Sequence, residues 1–160
     1  MNQSPITSHA SNPLPVPVRV AFVQSSWHRD LIDRCRDSFL DAMSEAGIPH
    51  GSVDVHHVPG AFEIPLRVQR LARTRTYAAI VAAGLVVDGG IYRHEFVAEA
   101  VISGLMRVQL DADVPVLSAV LTPQHFHEHD THRSFFSDHM VVKGREAAAA
   151  CLSVLGRAEA

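Results

Sequence analysis

Cysteine is scarce in this 160-residue chain. Only Cys35 and Cys151 occur, each on the apolar face of a helical pattern. They read as buried free thiols rather than a disulfide, which fits a reducing, cytoplasmic setting. Long hydrophobic runs are missing as well: none approaches the ~20 residues of a membrane span, and none has the form of a signal-peptide core. There is no excess of positive charge. Lys and Arg number 14 against 17 Asp and Glu, a formal net charge of −3 that offers no attractive field to nucleic acid or to anionic lipid. The chain has no G-x-G-x-x-G, no phosphate loop ending in Gly-Lys-Ser/Thr, no H-E-x-x-H and no nucleophile elbow. With 47% hydrophobic and 19% charged residues, wholesale disorder is excluded too. What remains is one globular domain, residues 18–160, large enough for a real core. Residues 1–17, rich in Pro, Ser and Asn, read as a flexible arm in front of it.

Hydrophobic periodicity supplies the elements. Residues 19–24 form a short apolar strand. In a helix over 30–47, Leu31, Cys35, Phe39 and Met43 recur every four residues, with Ile32 and Leu40 widening the stripe and Gly47 as the stop. A second strand covers 52–58, and Pro59-Gly60 turns into a helix reaching about Arg73, with Pro65 in its first turn. A third strand covers 78–83, and residues 84–90 turn the chain. A helix over about 93–110 carries Phe96, Val97, Ala100, Val101, Gly104 and Leu105 on one side. A fourth strand covers 114–121, a polar, histidine-rich region 124–139, and a last helix about 143–155. Strands alternating with helices predict an α/β fold. It is a four-stranded parallel sheet with right-handed crossovers and helices on both faces, a three-layer αβα sandwich.

In such a sheet the turns after all four strands emerge on one rim, where ligands bind. Trp27, the only tryptophan, is either a packing anchor or a flat surface for a planar heterocycle. Phe62 has the same two roles open to it. Glu63 either favours a helix dipole or accepts hydrogen bonds from a polyol. Gly89-Gly90, just before a helix, is either a plain turn or a cradle for phosphate. Taken singly the structural roles are the simpler ones, but their convergence on one rim favours a ligand site centred on Gly84-Leu-Val-Val-Asp-Gly-Gly-Ile-Tyr-Arg-His-Glu-Phe-Val97. The cluster of His125, His127, His129 and His132 with Glu128 and Asp130 lacks a metal-site spacing, so no metal is expected. His132 and Arg133 serve better as donors to a phosphate.

Pro59-Gly-Ala-Phe-Glu-Ile-Pro65, the 84–97 stretch, the Trp27 position, Val114-Pro-Val116 and Val142-Lys-Gly144 together resemble the lumazine synthases, above all their second, rhizobial-like type. The resemblance implies a flavodoxin-like arrangement and condensation of 5-amino-6-(D-ribitylamino)uracil with 3,4-dihydroxy-2-butanone 4-phosphate, without metal or organic cofactor. By the same resemblance Trp27, Ala61, Phe62, Glu63, Leu85, Val86, Val87 and Ser118 bind the ribitylaminouracil. Gly89, Gly90, Ile91 and His132 bind phosphate, with Arg133 as second choice and Lys143 nearby. The family's catalytic histidine falls on Arg93, with His94 next to it. Arginine is a poor proton shuttle, so slow turnover is expected, with Arg93 acting electrostatically. The resemblance further implies pentamers, or decamers of two pentamers, with sites between subunits; the histidine-rich segment and the arm are candidate contact regions. Two other functions stay open: a flavin- or lumazine-binding protein with little catalytic activity, and an interaction protein built on a stable oligomer.

Overall fold

Every residue of β1 (Val20–Ser25) and of β3 (Ala79–Leu85) is buried. A strand apolar on both faces must be covered on both faces, so these two are central. The structure, a computed structural model, describes residues 17–91, 93–123 and 130–156; the side chains of residues 130–132 lie outside that description. In it β1 and β3 pair side by side, with β2 (Val53–Val58) and β4 (Val116–Leu121) at the edges, in the order β2-β1-β3-β4. All three pairings are parallel, with Val20 opposite both Val53 and Ala79, and Ile80 opposite Val116.

Alternate residues of the central strands feed two cores. Val20 and Phe22 pack with α1 (Arg29–Glu45) and α4 (Asp130–Val154) through Ile32, Phe39, Met140 and Cys151. Ala21 and Val23 pack with α2 (Ile64–Arg73) and α3 (His94–Ala112) through Ile64, Val68, Val101 and Leu105. The result is the expected three-layer αβα sandwich, in the strand order of flavodoxin-like folds.

The α1/α4 seam is closed by small groups. A Cβ on Gly144 would stand 3.0 Å from the Phe39 backbone nitrogen and would collide outright with Ser38 Oγ and the Cys35 carbonyl oxygen, so the two helices touch there backbone to backbone. The Ser38 hydroxyl donates to the Val141 carbonyl at 2.6 Å across the same seam. Cys35 and Cys151 are buried free thiols, as expected. Burial pushes both up to about 12, the nearby Lys143 charge acting the other way on Cys35.

On the opposite face a file of polar side chains runs along β2. Arg19 pairs with Asp54, Tyr77 O–H donates to Asp54 at 2.9 Å, and His56 Nε2 lies 3.3 Å from the Tyr77 hydroxyl. An Arg67 N–H reaches His56 Nδ1 at 3.0 Å. Arginine can only donate, so Nδ1 accepts and the imidazole proton sits on Nε2, directed at Tyr77.

Two element boundaries and one helix face differ from the sequence expectation. β3 continues through Gly84 and Leu85 because β4 offers them partners, Val120 and Leu121; the chain turns only after that. On α3 the buried stripe is Val101, Leu105 and Val108, while Phe96 and Ala100 face outward, a rotation of the predicted face. α4 begins at Asp130 rather than near 143. Phe136 and Met140, spaced i, i+4, and then Ala147, Ala148 and Cys151 continue one buried face, which the intervening His, Ser and Asp residues disguise. His125, His127 and His129 lie outside the described residues.

Candidate ligand-binding site

The carboxyl ends of β1, β2 and β3 meet around a pocket of about 330 Å³, near the lower end of the ~300–1,000 Å³ usual for small-molecule clefts. It lies at the β1/β3 boundary, where crossovers leave the sheet in opposite directions and open a crevice. Each wall has a local cause. After β1 the Ser26 N–H is shared between the Val58 and Pro59 carbonyls, 2.8 and 3.1 Å away, tying this turn to the one after β2. Trp27 follows with its ring largely in the open, 62% exposed. His28 then takes a left-handed backbone (φ 55°), and its carbonyl accepts the first N–H groups of α1, from Leu31 and Ile32.

After β2, Gly60 lies against the indole: a Cβ there would be 3.6 Å from Trp27 Cε3 and Cζ3. The Gly60 N–H donates to Glu63 Oε2 at 2.9 Å, which closes the short turn Ala61–Glu63 ahead of α2. Phe62, 64% exposed, flanks the opening, while Ala61 is buried beneath it. After β3, Leu85 and Val86 are buried side chains of the floor, and the Val86 N–H is bonded to the Leu121 carbonyl at 2.9 Å. Val87 and, from α3, Val97 complete the wall.

Beyond Val87 the chain leaves the pocket and becomes polar and exposed. Asp88 Oδ1 accepts the Gly90 N–H at 2.8 Å, and Gly90 has φ +74°. Ile91 is 93% exposed. Arg93 is the residue before α3; it accepts the Phe96 N–H at its carbonyl (3.1 Å), and its guanidinium lies 5.7 Å from the centre of the Phe96 ring. His94 is turned inward, its side chain only 12% exposed, with Nδ1 3.6 Å from Glu95 Oε2 and 4.0 Å from Asp88 Oδ1.

Seven of the expected substrate-binding residues therefore share one cavity: Trp27, Ala61, Phe62, Glu63, Leu85, Val86 and Val87. Ser118 is not among them; it is exposed midway along the edge strand β4, opposite Ala82. His132 belongs to the first turn of α4, and its side chain lies outside the described residues. Arg133 is bonded to Asp30 at the start of α1. Burial works to raise the Asp30 carboxyl, but the Arg133 guanidinium holds it below its ordinary value. Lys143 pairs with Glu146 at 2.7 Å; ten residues along α4 from Arg133, it is ~15 Å away by helix rise. His28 was not among the expected site residues, while Gly60, Asp88 and Val97 lay within the expected rim turns and the 84–97 stretch without a role of their own. Asp88 carried a signal for a role, since Asp-Gly-Gly is a turn in which the aspartate bonds the backbone two residues on.

Fold and pocket define an α/β protein with a cleft of small-molecule size at the carboxyl rim of its parallel sheet. The family description 6,7-dimethyl-8-ribityllumazine synthase matches residues 17–159, and the chain belongs to that family. It is 67% identical over 132 residues to a 6,7-dimethyl-8-ribityllumazine synthase of Rhodococcus erythropolis, covering 82% of this chain and 85% of the relative. It is 59% identical over 139 residues to 6,7-dimethyl-8-ribityllumazine synthase 2 of Bradyrhizobium diazoefficiens, covering 87% and 83%. Similarity to the synthase 1 of Caulobacter vibrioides is lower, 39% over 141 residues, covering 88% and 90%. The likeness is thus greater to the synthase 2 than to the synthase 1, as the sequence motifs led one to expect.

Proposed function

We propose that the chain condenses 5-amino-6-(D-ribitylamino)uracil with 3,4-dihydroxy-2-butanone 4-phosphate, releasing 6,7-dimethyl-8-ribityllumazine, phosphate and water, the penultimate step of riboflavin formation. The observation that carries this is the pocket itself, about 330 Å³ and lined by an exposed indole, in a member of this family. Trp27 stacks on the uracil. The ribityl chain runs along Ala61, Phe62 and Glu63, whose second carboxylate oxygen is not used by Gly60. Leu85 to Val87 bound the heterocycle; because the Val86 N–H is already bonded, neighbouring backbone groups make the polar contacts.

Gly89, Gly90 and Ile91 receive the phosphate at the approach to α3, where the helix dipole favours an anion. The amine attacks the ketone to give an imine, phosphate leaves, and the ring closes. Both substrates arrive reactive, so orientation and exclusion of water do much of the work, and no cofactor or metal enters. Proton transfer by a side chain typically contributes ~10² to 10⁴-fold. Arg93 does not shuttle protons but stabilises the charge that develops as phosphate departs, so turnover is slow. Arg93 is preferred to His94 because the histidine ring is turned toward Asp88 and Glu95.

Ser118 and His132 reach the substrates from a neighbouring subunit. The exposure of Ser118 away from the pocket wall supports a site shared between chains. So does α3, whose outer face carries exposed Ile102, Met106 and Leu110; a helix apolar on both sides is normally covered on both. The assembly is a pentamer or a pair of pentamers. Mixing the two substrates with the protein and following the lumazine chromophore tests the proposal. Tight riboflavin binding with no product would replace it with the flavin-binding alternative.

A further inference from the structure

The Gly90 N–H stands where the phosphate of the second substrate is expected, yet in the free chain it is bonded to the Asp88 carboxylate at 2.8 Å. A carboxylate on a backbone amide, held in a glycine turn (Gly90 φ +74°), is the same chemistry by which that amide would hold a phosphate oxygen. The two anions cannot share one N–H, and side by side they repel. The carboxylate also has a second partner within reach: His94 Nδ1, 4.0 Å from the same oxygen, which Glu95 already approaches at 3.6 Å.

Resting on the phosphate seat assigned above, we propose that Asp88 is an internal competitor for phosphate: its carboxylate occupies the Gly90 amide in the empty site and shifts toward His94 when the substrate's phosphate arrives. The contact keeps the glycine turn shaped while empty and sets how tightly phosphate is retained. Because free phosphate is a product, a resident carboxylate that re-takes the amide also promotes its release. The exchange breaks and makes hydrogen bonds only, with no covalent step.

The test uses the full-length assembled protein and inorganic phosphate as the probe, titrated by calorimetry and as an inhibitor against 3,4-dihydroxy-2-butanone 4-phosphate. Asp88→Asn keeps an acceptor for the Gly90 N–H and removes the charge. It is expected to tighten inorganic phosphate and lower the KM for the phosphorylated substrate by about three- to tenfold, the gain shrinking as salt rises. Asp88→Ala, which removes the acceptor too, is expected to tighten phosphate as well. Unchanged or weaker phosphate binding in Asp88→Asn overturns the competitor role. Weaker binding in Asp88→Ala alongside an unaltered Asp88→Asn makes Asp88 a turn-former only, which also overturns it. If inorganic phosphate neither binds nor competes in the unmodified protein, the seat at Gly89–Ile91 is wrong and the proposal falls with it; competition in that protein with no gain in Asp88→Asn removes the proposal and leaves the seat intact.

Discussion

Arg93 and Trp27 are the two side chains on which the proposed chemistry depends most directly, and each has a separable signature. Removing a preorganised electrostatic group at a developing anion costs on the order of 10²-fold in kcat. Arg93→Ala should therefore lower kcat by about that factor with little change in binding of the ribitylaminouracil, measured by steady-state appearance of the lumazine; unchanged turnover at saturating substrate would remove Arg93 from the mechanism. Trp27→Ala should act on binding instead, raising the KM for the uracil about tenfold, in line with the ~1 kcal/mol of an aromatic stack plus the lost area. His56 makes a third prediction, on stability. Burial, and then the Arg67 charge beside it, push His56 below its ordinary 6.5, with Asp54 opposing them and His57 adding to them. The folded chain thus holds fewer protons at this site than the unfolded chain does between the depressed value and 6.5. Its contribution to stability is full above the ordinary value and is lost as pH falls through the folded one. Urea midpoints taken at about pH 7.5 and about pH 5.5 should fall with pH, and the fall should be smaller in His56→Gln.

At the scale of elements, the α1/α4 seam gives the plainest consequence. A methyl on Gly144 would press on the Ser38 hydroxyl and the Cys35 carbonyl, and the carbonyl, being backbone, cannot turn aside. Gly144→Ala should cost about 1–3 kcal/mol, the usual range for overpacking, read as a lower thermal midpoint; adding Ser38→Ala should restore only part of it. The same elements mark how far the sequence could be read. The run Ala79-Ile80-Val81-Ala82-Ala83 is uniformly apolar, so a doubly covered strand was legible, as were Pro59–Pro65 and the glycine-rich turn. The end of β3 was not, because Gly84 and Leu85 stay in the sheet only through partners on β4, far along the chain. Nor was the start of α4: its buried Phe136 and Met140 are set among polar residues whose exposure depends on where α1 lies. Asp88 was legible as a turn residue, but its bond to an amide in the proposed phosphate seat is a matter of distance, which spacing along a sequence does not carry.

For the whole molecule, the decisive quantity is the apolar surface one chain leaves uncovered. Ile102, Met106 and Leu110 recur every four residues on the outer side of α3, and Leu66 on the adjoining α2 is also exposed. If neighbouring subunits cover this surface and complete the site, Met106→Glu or Leu110→Glu should shift the protein to smaller species in light scattering and remove turnover together, at unchanged helical content. Loss of assembly with full activity would place the whole site within one chain. The two thiols offer a different use of the same architecture. Cys35 on α1 and Cys151 on α4 are both sealed in the layer on one side of the sheet, with their protons held until about pH 12. A thiol-reactive dye can therefore label the native protein only when that layer opens, so the time course of labelling is a built-in clock for the breathing of one half of the molecule, needing no engineered probe.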